Sequence, residues 1–143
     1  SKDGVAVATY WKNDSTVNIA TGQSYAYGIA VSGQDVYVVG QAGVATYWKN
    51  GIAASLSDKY SSASSVFISS NDVYMSGSVS STKCNGCYYA TYWKNGVRFN
   101  LTDGKTTAAA SQIIVSGNDV YVAGSVFPDR VQAMLYIGKT EIL

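Results

Sequence analysis

A six-residue segment, Ala-Thr-Tyr-Trp-Lys-Asn, constrains the fold of this chain more than any other feature, because it recurs three times. The copies begin at Ala8, Ala45 and Ala90 and contain all three tryptophans of the sequence. A degenerate fourth copy at 133–138 keeps the tyrosine but loses the tryptophan. Successive tryptophans lie 37 and 45 residues apart. A period in this range indicates a repeated supersecondary unit, which decides the fold question before any local assignment.

A second signature, a turn followed by Asp-Val-Tyr, alternates with the first. It occurs at residues 32–37, 69–74 and 116–121. Ser, Gly, Asn and Asp fill the turn, and these residues either tolerate positive φ or bond their own backbone. One position of the turn is always Asp, at Asp35, Asp72 and Asp119. We expect these carboxylates to form the turn rather than to contact a ligand.

Each full unit divides into four predicted strands. A short Ile/Val strand precedes the turn, and the Asp-Val-Tyr segment forms the second strand. The third strand carries Ala-Thr-Tyr-Trp-Lys and ends at Asn50-Gly51 or Asn95-Gly96, a strong signal for a β-hairpin. After the fourth strand, Asp58 or Asp103-Gly104 is predicted to open a loop to the next unit. The chain is then a single repeat domain, 1–143, made of a half-unit 5–20, full units 25–57 and 64–102, and a last unit 111–143.

The predicted strands are apolar or aromatic on both faces. Residues 120–123, Val-Tyr-Val-Ala, are an example, and in Ala-Thr-Tyr-Trp the tyrosine and the tryptophan fall on opposite faces. Such strands need neighbours on both sides, which the stacked blades of a β-propeller provide. We therefore predict an all-β fold of four-stranded antiparallel units that form β-propeller-type blades. A β-trefoil is the alternative, although its strands should alternate more cleanly between apolar and polar residues.

Together, Tyr-Trp-Lys-Asn-Gly and Ser-Gly-Asn-Asp-Val-Tyr-Val-Ala-Gly resemble the repeats of tandem-repeat propeller proteins predicted on bacterial cell surfaces. The resemblance covers nearly the whole chain. It implies a propeller fold and an extracellular or bacterial cell-surface location, but no defined activity. Because the chain begins at Ser1 rather than Met, we expect a processed or cloned terminus from which an export signal has been removed.

Three units do not close a ring, since propellers typically have 4–8 blades. We expect either a homo-oligomer or a fragment of a longer propeller. In the first case, the half-unit 5–20 of one chain completes the half-unit Ile113–Ser125 of another. A dimer joined reciprocally in this way closes a six-bladed ring.

The composition argues against catalysis. The sequence contains no His, which removes the usual general base and the commonest metal ligand. Ten Lys and Arg against nine Asp and Glu give a net charge of +1, which does not indicate a binding surface for nucleic acid. No apolar run is long enough to span a bilayer. We expect no enzymatic activity, no catalytic residues, no metal and no cofactor.

The paired aromatic residues of the first signature are the candidate ligand contacts. Aromatic faces beside Asn and Lys can stack on sugars, and repetition raises avidity without new contacts. Alternatively, the same rings fill the space between units. The candidates are Trp11, Trp48, Trp93, Tyr10, Tyr47 and Tyr92. The predicted function is a non-enzymatic binding module for a carbohydrate or protein ligand, and the alternative is a purely structural unit that assembles into an oligomeric propeller.

The segment Cys84-Asn85-Gly86-Cys87 interrupts the repeat in a lengthened connection. Two Cys without His cannot complete a tetrahedral zinc site. The segment also lacks the βαβ context of a redox Cys-x-x-Cys motif. A small disulfide between Cys84 and Cys87 in an exported protein is the favoured interpretation, with free thiols as the alternative.

Overall fold

The computed structural model describes residues 4–127, which form β-strands and turns and include no helix. The prediction of an all-β fold is confirmed, and the strands pair in antiparallel fashion. Within these residues nothing forms a helix long and apolar enough to cross a membrane. The predicted final hairpin at 131–143 lies outside the described residues.

In chain order the strands are β1 (Thr9–Lys12), β2 (Ser15–Asn18), β3 (Tyr25–Ser32), β4 (Asp35–Ala42), β5 (Val44–Lys49), β6 (Ile52–Ser69), β7 (Asp72–Ser80), β8 (Tyr88–Lys94), β9 (Val97–Asn100), β10 (Thr107–Ser116) and β11 (Asp119–Phe127).

The strands form three sheets. Two are hairpins, β1–β2 and β10–β11, and the third has seven strands in the order β3-β4-β5-β6-β7-β8-β9. No closed ring or barrel is formed by residues 4–127. The described part of the chain is therefore an open array of antiparallel sheets.

Strand β6 belongs to both halves of the seven-stranded sheet. Its residues up to Tyr60 pair with β5, and those from Ser61 onward pair with β7. The predicted loop at Asp58 is wrong, because the strand continues through this position. The segment 52–69 contains no Gly or Pro that would end a strand. A register shift in the β5–β6 ladder instead leaves residues 56–59 without a cross-strand partner.

The sheets pack face to face in the order of the chain, because both faces of the central strands are apolar. Hairpin β1–β2 contributes Ala8 to a cluster with Val38 and Trp48. A second cluster joins Val39 on β4 with Trp93 on β8, and a third joins Ala90 on β8 with residues of β10. The core therefore consists of successive layers between units, and each unit needs its neighbours.

A hydroxyl group fixes the start of each Ala-Thr-Tyr-Trp strand. The main-chain N–H of Ala8 donates to Ser24 Oγ, and that of Ala45 donates to Ser61 Oγ, both at 2.8 Å. In the third copy the N–H of Ala90 donates to Thr102 Oγ1 at 3.1 Å. Ser24 and Thr102 lie in connections that lead to the next unit, and Ser61 lies where β6 passes from one unit to the next, so these bonds also position the junctions between units.

A β-bulge recurs at one place in the first strand of each unit. The extra residues are Tyr27, Ser64 and Ser111. Next to each bulge, the facing strand carries Gly40, Gly77 or Gly124. A Cβ atom on these glycines would collide with the main chain of Tyr25, Ser62 or Ala109, respectively. Glycine is required here by the close approach of two strands.

Replacement of Gly77 by Ala is expected to lower the free energy of unfolding by about 1–3 kcal/mol, because backbone atoms cannot move aside for the new methyl group. Urea denaturation measures the change. Gly22→Ala is the matched control, since a Cβ on Gly22 would meet no atom within 4 Å. Equal losses of stability in the two variants would contradict the close approach.

Replacement of Ser70 by Gly is expected to stabilise the protein. Ser70 has a φ of 57°, at the turn position that Gly33 and Gly117 occupy in the other units. A residue with a side chain costs on the order of 1 kcal/mol in this region, and the Gly variant should recover about that amount. The converse variant, Gly117→Ser, should lose a similar amount in the same denaturation experiment. A destabilised Ser70→Gly variant would contradict the positive φ of Ser70 in the folded protein.

Candidate functional site

The three tryptophans of the first signature lie in different environments. Trp48 and Trp93 are 1% and 0% exposed, whereas Trp11 is 66% exposed. Trp48 packs in the layer that includes the β1–β2 hairpin, and Trp93 packs in the layer between β4–β5 and β7–β8. In this arrangement a ligand cannot reach Trp48 or Trp93, and both rings fill the space between units.

The tyrosines beside them are partly buried. Tyr47 packs against the same layer as Trp93, and Tyr92 stacks on Phe99 with ring centroids 4.9 Å apart. Tyr10 and Trp11 line an open cavity of about 310 Å³ together with residues of β3. Two of the six candidates therefore share this cavity, and Tyr10 also packs against the cluster that contains Trp48.

Hydrogen bonds of an asparagine side chain link the two sequence signatures. Asn50 Oδ1 accepts from the main-chain N–H of Val36, and Asn50 Nδ2 donates to Asp35 Oδ1, both at 2.9 Å. We call this pair of bonds the asparagine clasp. A second clasp, also with two bonds of 2.9 Å, joins Asn95 to Val73 and Asp72. The recurring Asp of the turn thus has a structural partner that the sequence pattern does not reveal.

Lysine side chains lie beside each clasp. Lys49 Nζ is 5.6 Å from the ring centroid of Tyr37, and Lys94 Nζ is 5.7 Å from that of Tyr74. Both distances are within the range of a cation–π contact. The Lys of the first signature and the Tyr of the second are therefore neighbours in each complete unit.

Cys84 and Cys87 form a disulfide in the connection between β7 and β8, with their Cα atoms 5.4 Å apart. Among residues 4–127, no cluster of three or more His, Cys, Asp or Glu side chains could hold a metal ion. The disulfide therefore closes a short loop within the connection between β7 and β8.

A group of tyrosine and amide side chains lies together outside both signatures. We call it the tyrosine rim, and it consists of Gln23, Tyr25, Gln41, Tyr60 and Tyr88. Gln23, Tyr25, Gln41 and Tyr60 line an open cavity of about 540 Å³. Gln41, Tyr60 and Tyr88 line a neighbouring cavity of about 400 Å³. Gln41 and Tyr60 therefore belong to both cavities.

Hydrogen bonds and ring contacts hold the tyrosine rim in place. Gln41 Nε2 donates to the Ser61 carbonyl at 3.0 Å, and Gln23 Nε2 donates to the Tyr25 hydroxyl at 3.2 Å. The rings of Tyr60 and Tyr88 are 6.2 Å apart and inclined by 58°. Tyr60 is 61% exposed. In the described part of the chain, no charged side chain lines either cavity.

The repeat pattern does not predict the tyrosine rim, because its residues lie outside both signatures, one in a connection and four on different strands. One signal was available. Five of the twelve tyrosines belong to neither signature nor to the degenerate fourth copy, and three of these five form the rim. Only the structure shows that these side chains line the same pair of cavities.

Comparison of the chain with protein-family models, with curated proteins and with solved structures found no match.

Proposed function

We propose that the chain is built of four-stranded, propeller-type blades and acts as a non-enzymatic binding module for a neutral carbohydrate. Two successive groups of four strands support the blades. The first is β3-β4-β5 with the early part of β6, and the second is the late part of β6 with β7-β8-β9. The resemblance of the repeats to bacterial cell-surface propeller proteins favours an extracellular or cell-surface location.

The tyrosine rim is the observation that carries the proposed ligand class. Tyrosine rings offer flat apolar faces on which the C–H groups of a sugar ring can stack, and their hydroxyls remain available to water or ligand. The Gln41 amide, held by its bond to Ser61, offers hydrogen bonds at the boundary of both cavities. Because no described charge lines the cavities, a neutral ligand is favoured over an ionic one.

The side chains of the rim also favour binding over catalysis. The described residues that line the two cavities include no carboxylate and no thiol, and the sequence has no His. General acid–base and nucleophilic catalysis depend mainly on such groups.

A purely structural unit that assembles with other units is the second candidate function. Trp11 is exposed whereas the equivalent Trp48 and Trp93 are buried between units, so Trp11 is available to pack against another unit.

Replacement of Tyr60 by Ala is expected to weaken carbohydrate binding about tenfold, because the variant loses a ring that lines both cavities. A panel of neutral cello-, chito- and manno-oligosaccharides identifies the ligand, and calorimetric titration of the best oligosaccharide gives the affinity. The proposal fails when no oligosaccharide of the panel binds the unmodified chain.

Phe99→Ala is the control for Tyr60→Ala, because Phe99 is a 43% exposed aromatic residue outside the rim. Its affinity should equal that of the unmodified chain. Trp11→Ala distinguishes the rim from the cavity of Tyr10 and Trp11. A tenfold loss in Trp11→Ala, with Tyr60→Ala unchanged, would place the carbohydrate in that other cavity.

A further inference from the structure

We propose that strand β1 of this chain pairs with strand β11 of a second copy, so that two incomplete hairpins form one complete unit. This inference does not depend on the ligand of the tyrosine rim. It rests on strand order, register, the asparagine clasp and exposed apolar side chains, which are independent observations.

The strand order of the two hairpins is complementary. In the complete units, β5 lies between β4 and β6, and β8 lies between β7 and β9. Within residues 4–127, β1 pairs with β2 alone and β11 pairs with β10 alone. Hairpin β10–β11 thus supplies a first and second strand, and hairpin β1–β2 supplies a third and fourth. Joined through β11 and β1, they reproduce the strand order of a complete unit.

The register of the pairing follows from the complete units. The second and third strands pair there at equivalent positions, Tyr37 with Lys49, Val38 with Trp48, Tyr74 with Lys94, and Met75 with Trp93. The same register places Tyr121 of one copy opposite Lys12 of the other, and Val122 opposite Trp11. The new contact would repeat the cation–π pair and bury Trp11.

The asparagine clasp is divided between the two hairpins. Asn13 has a φ of 48°, close to the 52° of Asn50 and the 51° of Asn95. Among the described residues, the Asn13 side chain has no Asp-Val turn to bind, and no third-strand asparagine bonds to Asp119 and Val120. A second copy supplies the missing half of each clasp.

The chain's own degenerate copy is a poorer partner for β11. Counted from its tyrosine, Tyr136, the copy has Ile137 where a complete unit has Trp, and Lys139 where it has Asn. The segment 133–138 therefore offers neither the clasp nor the indole ring, whereas β1 offers both. We assign the edge of β11 to β1 of the second copy for this reason.

Some exposed apolar side chains lie on the surfaces that the second copy would cover. Ile29 on β3 is 51% exposed, whereas Ile113 at the equivalent position of β10 is 2% exposed. Ile113 lies in a strand that packs against the preceding unit, whereas β3 has only the β1–β2 hairpin before it. A joined unit would stack β10 of the second copy beside β3, so Ile29 and Trp11 would become buried together. Two such contacts related by a two-fold axis close a six-unit dimer.

Disulfide trapping between two single-cysteine variants tests the register. Chains carrying Lys12→Cys and Tyr121→Cys are mixed, oxidised mildly and run on a non-reducing gel. The expected product is a covalent heterodimer, because directly opposite positions of antiparallel strands lie within the reach of a disulfide. The native Cys84 and Cys87 are paired with each other and leave the introduced thiols to react.

Mixing Lys12→Cys with Val120→Cys is the off-register control, because a shift of one residue turns the side chain to the opposite face of the sheet. Covalent heterodimer should form at least about tenfold faster with Tyr121→Cys than with Val120→Cys. Equal rates, or no cross-link with Tyr121→Cys, would overturn the proposed pairing.

Native mass spectrometry over a dilution series tests the assembly without cysteines. The unmodified chain should have twice the 15.1 kDa mass of one copy. Asn13→Gly keeps the turn conformation but removes the clasp, so its dimer should dissociate at a concentration at least about tenfold higher. Asn71→Gly, at an exposed turn position outside β1 and β11, should leave the dimer unchanged. A folded monomer of the unmodified chain at every concentration would overturn the proposal, whatever the tyrosine rim binds.

Discussion

The apolar character of both faces of each sheet is the constraint on which the rest of the structure depends. A sheet with one polar face can stand at a surface, but these sheets expose large hydrophobic area unless another unit covers them. Burial of a large apolar side chain contributes roughly 1.5–3 kcal/mol, so each layer between units is a substantial part of the stability. The side chain of Trp93 shows how strongly packing dominates, because its indole N–H is buried without a hydrogen-bond partner in the described structure.

Recurrent polar residues in this protein serve the backbone. The clasp asparagines, the turn aspartates and the hydroxyls that bond the alanine N–H groups all satisfy main-chain or turn groups at strand ends. The alanine N–H groups are buried or partly buried, where a polar backbone group without a partner is costly, which explains why a hydroxyl recurs beside them in each unit. The polar residues that are free to contact a ligand are found where the units differ, as at Gln41 and Tyr60.

The sequence period, the turn residues and the Asn-Gly hairpins predict most strands and their antiparallel pairing, because these signals are local. The continuity of β6 is not predicted, since the charged pair Asp58-Lys59 is typical of a loop and only the pairing with β5 and β7 shows a strand. Burial of Trp48 and Trp93 cannot be read from a pattern that is apolar on both faces. The tyrosine rim depends on which segments of different units lie side by side in space, and no local rule gives that information.

The bulge in the first strand gives each unit a position that can vary at little structural cost. The extra residue stands outside the ladder, so its side chain can change without shifting the register of the strand. It is Tyr27 in one unit and Ser64 in the next, where the Ser64 hydroxyl donates to the Ala110 carbonyl of the following hairpin. The side chain at the bulge can therefore bond to the following unit while the strand pairing of its own unit stays unchanged.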